Sequence, residues 1–102
     1  MQASVTFKNL ESSKHFQRYV QDKLDRMDKL LDKPANAEVV LSLDNLEKVA
    51  EIRLSGGRLN LQAKAEEADM HAAIDLMVDK IKRQINKQKD KVREHRHSRS
   101  AA

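Results

Sequence analysis

The segment from Asp69 to Arg93 constrains the fold of this chain more than any other stretch. It reads DMHAAIDLMVDKIKRQINKQKDKVR and contains neither Gly nor Pro. Apolar residues recur in it at the three- and four-residue steps that one face of an α-helix requires. These residues are Met70, Ile74, Met77, Val78, Ile81, Ile85 and Val92. Asp69 can cap this predicted helix, because its carboxylate accepts hydrogen bonds from the free amides of the first turn.

The charged residues of the predicted helix are sorted along it and around it. Acids lie at its start and bases fill its second half, which the helix dipole favours. Two rows of bases flank the apolar stripe centred on Ile81. The first row is Lys80, Arg83, Lys87 and Lys91, and the second row is Lys82, Lys89 and Arg93. Such rows are typical of a solvated helix whose Lys and Arg stems cover the rim of a core, or of a surface that binds a polyanion.

The distribution of charge along the chain favours the polyanion. Residues 80–102 contain nine Lys and Arg against two acids, whereas residues 1–79 contain eleven bases and fourteen acids. A nearly neutral body therefore carries a strongly basic C-terminal segment. This asymmetry predicts a nucleic-acid partner, with an anionic membrane surface as the alternative.

Length and composition limit the remaining possibilities. A chain of 102 residues forms one small domain, and only three aromatic residues are available for its core. The absence of Cys excludes disulfides and thiolate metal sites. No apolar run has the roughly 20 residues of a membrane span, and the N-terminus has no signal-peptide pattern. We therefore expect a soluble, cytoplasmic protein with no part embedded in a membrane.

Alternating and helical patterns predict an α+β fold. Strands are predicted at residues 3–8, 37–43, 50–55 and 58–65, with Gly56-Gly57 as a type I′ hairpin turn. A first helix begins after Ser12 or Ser13 and ends near Asp32, because Pro34 disfavours helical geometry just before it. The order β-α-β-β-β-α gives a four-stranded sheet with two helices packed on one face and an open, mildly basic face. We place the domain at residues 1–94 and a basic disordered tail at residues 95–102.

The sequence offers no constellation that is typical of an enzyme. No Gly-rich phosphate loop or nucleophile elbow is present, and the carboxylates of the first helix lie on its wet face. His95 and His97 lack a ligand framework, and His15 and His71 are predicted to pack at the surface or rim. Phe7 and Phe16 fall on core faces, so base stacking is not expected. We predict no catalytic residue, cofactor, metal or small-molecule substrate.

The segment Asp69–Lys91 resembles the C-terminal helix of the ribosome hibernation promoting factor family, also called protein Y or ribosome-associated inhibitor A. The matching pattern is DM-x-AAID followed by DK-x-x-RQ-x-x-K-x-KDK. The first helix around Val20 and Lys23, the strand Val39-Val40-Leu41 and the Gly56-Gly57 pair also fit. His71 departs from the family, which usually has Tyr after the Met. Since the chain stops shortly after the pattern, it resembles the short form of the family.

The resemblance implies a ribosomal partner. Proteins of this family bind the small ribosomal subunit in the channel for mRNA and tRNA, inhibit translation and keep idle ribosomes as 70S or 100S particles. The implied partners are 16S-type rRNA and neighbouring ribosomal proteins, with a second dimerisation factor needed for 100S particles. The predicted RNA-binding residues are Lys80, Arg83, Lys87, Lys91, Lys89, Arg93, Lys82 and Lys23. Two alternatives remain: a protein-binding regulator of the sigma factor modulator type, and a generic double-stranded RNA binder.

Overall fold

The computed structural model describes the backbone of residues 1–101 and the side chains of residues 1–89. Its elements follow the predicted β-α-β-β-β-α order, which confirms the α+β class. They are β1 (Gln2–Lys8), α1 (Lys14–Met27), a 3-10 turn (Asp28–Leu30), β2 (Asn36–Asp44), β3 (Glu47–Gly56), β4 (Leu59–Glu67) and α2 (Met70–Ala101).

The four strands form one mixed sheet in the order β1-β2-β3-β4. β1 pairs with β2 in parallel, and the other two pairs are antiparallel. Alternate residues of every strand point to the side on which α1 and α2 pack, because successive side chains of a strand point to opposite faces. Val20 and Leu24 of α1, Ile74 and Ile81 of α2, and Ile52 of β3 all lie within one buried cluster. The predicted single covered face is confirmed.

The open face of the sheet is polar but not basic, so that part of the prediction is wrong. The strand register places an acid opposite or diagonal to each base. Glu38 lies opposite Arg53, Glu51 lies opposite Lys64, and Glu66 reaches Lys64 at 3.7 Å. The bases that the sequence suggests for this face are therefore offset by acids from neighbouring strands.

Helix α1 begins as predicted and ends earlier. Ser13 caps it, with Oγ accepting from the amide of Phe16 at 3.2 Å. The α-helix ends at Met27, one 3-10 turn follows, and Leu31 is extended, whereas the sequence predicts helix to about Asp32. Leu30 and Leu31 continue the apolar period and pack at the edge of the core. They reach it from a tighter turn, which directs the chain toward β2.

The hairpin between β3 and β4 is shifted by one residue from the prediction. Gly56 is the last residue of β3, and Gly57 and Arg58 form the turn. Gly56 has φ +155°, and a Cβ there would lie 2.6 Å from the carbonyl oxygen of Pro34. Gly57 supplies the positive φ of the turn. The glycine pair therefore serves two needs, a close backbone approach and a turn, because only glycine meets both without steric cost.

Helix α2 extends through the region that the sequence predicts as a tail. Its backbone is helical to Ala101, and no Gly or Pro interrupts the stretch from residue 70. The side chains of residues 95–102 lie outside the described part of the chain. The division into a domain at 1–94 and a tail at 95–102 stays a prediction.

Candidate nucleic-acid interface

The orientation of α2 is fixed by its apolar face and by its cap. Asp69 Oδ2 accepts from the amide of Ala72 at 3.0 Å, as predicted for an N-cap. The apolar residues of the face are buried as far as Ile85. They are Met70, Ala73, Ile74, Met77, Val78, Ile81 and Ile85. Because this face cannot rotate without exposing the core, the positions of the two basic rows are determined by packing.

The first base of the first row, Lys80, forms a hydrogen bond within the protein. Lys80 Nζ donates to the carbonyl oxygen of Lys64 at 2.8 Å, and Gln84 Nε2 donates to that of Gln62 at 2.7 Å. Both acceptors lie on β4, the edge strand of the sheet. The spacing fits, since four helical residues rise about 6 Å and two strand residues about 6.7 Å. Lys80 and Gln84 thus form an edge cap that holds α2 against β4.

The next two bases of the first row point into solvent. Arg83 and Lys87 are exposed and lie one helical turn apart, which places their side chains side by side. Among the side chains of residues 1–89, no carboxylate lies within ion-pair distance of either base. Two adjacent cations with this freedom can contact consecutive phosphates.

The second row lies on the flank of α2 that faces α1. Lys82 and Lys89 are half-buried there, on the same side of the helix as His71 and Asp75. These two lysines are two helical turns apart, so their ammonium groups are not adjacent. Lys91 and Arg93, which complete the two rows, lie outside the described side chains, so the structure does not test them.

Lys23 of α1 is part of a bridge between the helices. Its Nζ lies 3.0 Å from Asp75 Oδ1, and the Tyr19 hydroxyl donates to the same oxygen at 2.6 Å. The Asp75 hydrogen bond raises the pKa of Tyr19 and that of Lys23 above their ordinary values. Desolvation raises the pKa of Asp75, but the hydrogen bonds from Tyr19 and Lys23 outweigh it and leave that pKa lowered. Lys23 therefore forms an intramolecular ion pair, and its contact with RNA stays a prediction.

The structure also brings together residues that the sequence analysis treats separately. His15 and His71 lie in the first turns of α1 and α2, and their Nε2 atoms are 2.8 Å apart. Phe16 and Tyr19 pack against the His71 ring, each with centroids 4.9 Å from it. The sequence contains one hint of these contacts. His15 and Tyr19 are four residues apart, as are His71 and Asp75, so each pair lies on one face of its helix. This hint becomes informative only once the two helices are known to start at the same end.

Two further observations bear on the kinds of site that the described residues can form. No group of three or more His, Cys, Asp or Glu side chains that could hold a metal ion occurs among them. Of the helices searched over the same residues, none has the length and apolarity needed to cross a membrane.

Comparisons with known proteins agree with this fold and with its helix pattern. The family model described as Sigma 54 modulation protein / S30EA ribosomal protein matches residues 3–93. The ribosome hibernation promoting factor of Klebsiella oxytoca is 32% identical over 95 residues, covering 93% of this chain and all of that protein. The protein of the same name from Pseudomonas putida is 34% identical over 93 residues, covering 89% of each.

Solved structures give the same result. The N-terminal domain of Thermus thermophilus Protein Y superposes with a TM-score of 0.80 at 34% identity, covering 85% of this chain and 98% of that one. A ribosomal subunit interface protein from Coxiella burnetii shares the fold, with a TM-score of 0.81 at 23% identity, covering 88% and 99%. With a matching model over nearly its whole length and relatives above 30% identity, this chain belongs to the Sigma 54 modulation protein / S30EA ribosomal protein family.

Proposed function

We propose that this protein is a ribosome hibernation factor that binds rRNA of the small ribosomal subunit through the exposed bases of α2. The observation that carries the proposal is the Arg83–Lys87 pair, two solvent-facing cations one turn apart on a helix whose orientation the core fixes. Relatives named ribosome hibernation promoting factor support a ribosomal partner. Binding requires no catalysis, cofactor or small-molecule substrate.

The proposed contact is made to phosphates rather than to bases. Arg and Lys bind phosphate oxygens irrespective of sequence, and a rigid helix presents them at fixed spacing. Lys91 continues the first row, and Lys82, Lys89 and Arg93 of the second row add further contacts on the opposite flank. Lys80 and Lys23 are assigned internal roles instead, because the edge cap and the Asp75 bridge occupy their ammonium groups.

The physiological consequence follows from where the protein binds. We infer that it occupies the channel for mRNA and tRNA on the small subunit, so that translation is inhibited and the ribosome is held as an inactive 70S or 100S particle. Formation of 100S particles would require a second, dimerising factor. Sucrose-gradient analysis of stationary-phase lysates tests this point: the protein is expected in 30S, 70S or 100S fractions, and its confinement to the soluble fractions would contradict the proposal.

The site itself is tested by charge reversal. The double variant Arg83→Glu/Lys87→Glu is expected to lose co-sedimentation with purified 30S subunits while keeping its fold, because both side chains are exposed. The matched control is Lys14→Glu/Arg18→Glu, which makes the same change of charge at the same four-residue spacing on exposed positions of α1. Equal loss of binding by both variants would show a general effect of net charge and would remove the assignment to α2.

Salt dependence gives a second measure of the same contacts. Each phosphate contact releases counterions, so the slope of log K against log salt concentration counts them. The variant Arg83→Gln/Lys87→Gln is expected to reduce this slope by about 2.

The description of the family also favours a second candidate, a modulator of a sigma factor. Such a protein contact predicts a shallow salt slope and retention of binding in the charge-reversal variant. Measuring both properties for the ribosome and for a purified sigma factor distinguishes the two functions.

A further inference from the structure

The contact between His15 and His71 has the dimensions of a metal chelate. The two Nε2 atoms are 2.8 Å apart and join the first turns of two helices that are 56 residues apart in sequence. Metal–imidazole bonds measure about 2.0–2.1 Å, so two ligands at right angles to each other lie about 2.9 Å apart. The observed separation therefore matches two adjacent positions of a square-planar or octahedral ion. A tetrahedral ion would need the nitrogens about 3.3 Å apart.

The surroundings of the pair favour the same chemistry. Asp69 Oδ1 lies 3.9 Å from His71 Nδ1. A carboxylate near the Nδ1 side of an imidazole whose Nε2 binds an ion is a common arrangement in metal sites. The other Asp69 oxygen is held by the amide of Ala72, so the carboxylate is fixed in place.

The rings are also held in position before any metal binds. The His15 ring packs edge-on against Phe16 at 5.1 Å, and Tyr19 packs edge-on against His71 at 4.9 Å. His15 is exposed and the His71 side chain is 41% exposed, so an ion can approach from solvent. Because no third ligand group is present among the described residues, water would fill the other coordination positions.

We propose that His15 and His71 form a two-imidazole site for a divalent transition metal that prefers right-angled ligands, such as Ni²⁺ or Cu²⁺. Binding replaces the imidazole–imidazole hydrogen bond by two Nε2–metal bonds, with each ring neutral and carrying its proton on Nδ1. The ion then joins the starts of α1 and α2. The site lies away from Arg83 and Lys87, so its existence is independent of the function proposed above.

The proposal is tested by isothermal titration of untagged protein with NiCl₂. We expect one ion per chain, and a loss of affinity of about tenfold or more in both His15→Gln and His71→Gln, since one imidazole alone chelates nothing. His95→Gln/His97→Gln is the matched control and is expected to keep wild-type affinity. Asp69→Asn keeps a good capping residue and is expected to weaken binding several-fold by removing the carboxylate.

Two readouts separate this site from nonspecific binding. Ni²⁺ should raise the Tm of the wild type and not that of His71→Gln, because the two imidazoles come together only in the folded state, whereas a single imidazole binds the ion equally well in the unfolded state. Electron paramagnetic resonance of the Cu²⁺ complex should show two equivalent imidazole nitrogens. Unchanged affinity in the His15→Gln/His71→Gln variant, or loss of binding only in the His95→Gln/His97→Gln control, would overturn the proposal.

Discussion

The two halves of α2 use the same residue types for different purposes. From the Asp69 cap to Ile81, several polar side chains make contacts within the protein: Asp69 caps the helix, Asp75 bridges to α1, and Lys80 donates to the edge of β4. In residues 82–89 Ile85 is the one buried residue, and the side chains of Arg83 and Lys87 face solvent. We therefore expect the bases of α2 to differ in their roles, although they belong to one sequence pattern. A base with a carbonyl or carboxylate partner in the protein is expected to contribute to stability, and a base without one among the described side chains is expected to bind phosphate.

The largest effect is expected from a core substitution in the first half. Ile74 is fully buried between the helices and the sheet. Ile74→Ala should lower the free energy of unfolding by about 3 kcal/mol, because it removes buried methyl groups and leaves a cavity. Arg83→Ala in the second half should change it by less than about 0.5 kcal/mol. Urea denaturation measures both values, and similar losses would mean that the second half is packed as tightly as the first.

The next largest effect on stability is expected from the contacts of Asp75 with α1. Asp75→Asn should cost about 1 kcal/mol, since it weakens the hydrogen bond from Tyr19 and removes the ion pair with Lys23 at a half-exposed site. Asp79→Asn, an exposed acid one turn later, is the control and should be neutral. Equal effects would show that charge on α2, rather than the bridge, is what matters.

The same bridge predicts a dependence of stability on pH. The pKa of Asp75 lies below its ordinary 3.8 in the folded protein. Its contribution is therefore present above that value and is lost as the pH falls through the lowered pKa. Acid titration of wild type and Asp75→Asn should give stability curves that converge at low pH. A constant difference across the acid range would contradict the linkage.

The smallest effect is expected from substitution of Lys80, which tests whether this residue positions α2 or binds rRNA. Lys80→Met keeps the apolar stem but removes the donor to Lys64, and should cost about 0.5–1 kcal/mol of stability. It should leave the salt slope of ribosome binding unchanged, whereas Arg83→Met should reduce that slope by about 1 at constant stability. A reduced slope for Lys80→Met would return Lys80 to the RNA-binding residues.

The order of elements could be predicted because each strand and helix carries its own period. The apolar periods of α2 and β2 in the sequence coincide with the buried faces in the structure, because burial is what requires apolar residues at those positions. The predicted ends of the elements were less accurate where tertiary contacts determine them. An example is the end of α1 at Met27, where the chain leaves the helix to reach β2.

The roles of single polar residues could not be predicted to the same extent. Lys80 looks identical to Lys87 in the sequence, and only the position of β4 beside α2 separates them. The meeting of His15 with His71 depends on the two helices starting at the same end of the sheet. Such contacts join residues far apart in the chain, and no local period records them.

The edge cap on β4 has a consequence for how variants of this protein should fail. Lys80 and Gln84 occupy carbonyl groups that would otherwise be open for pairing with a strand of another molecule. A substitution that loosens α2 from the sheet therefore does more than displace its bases: it uncovers a row of unpaired backbone groups. Loss of function by that route should be accompanied by concentration-dependent aggregation, whereas loss through Arg83 or Lys87 should leave the protein monodisperse.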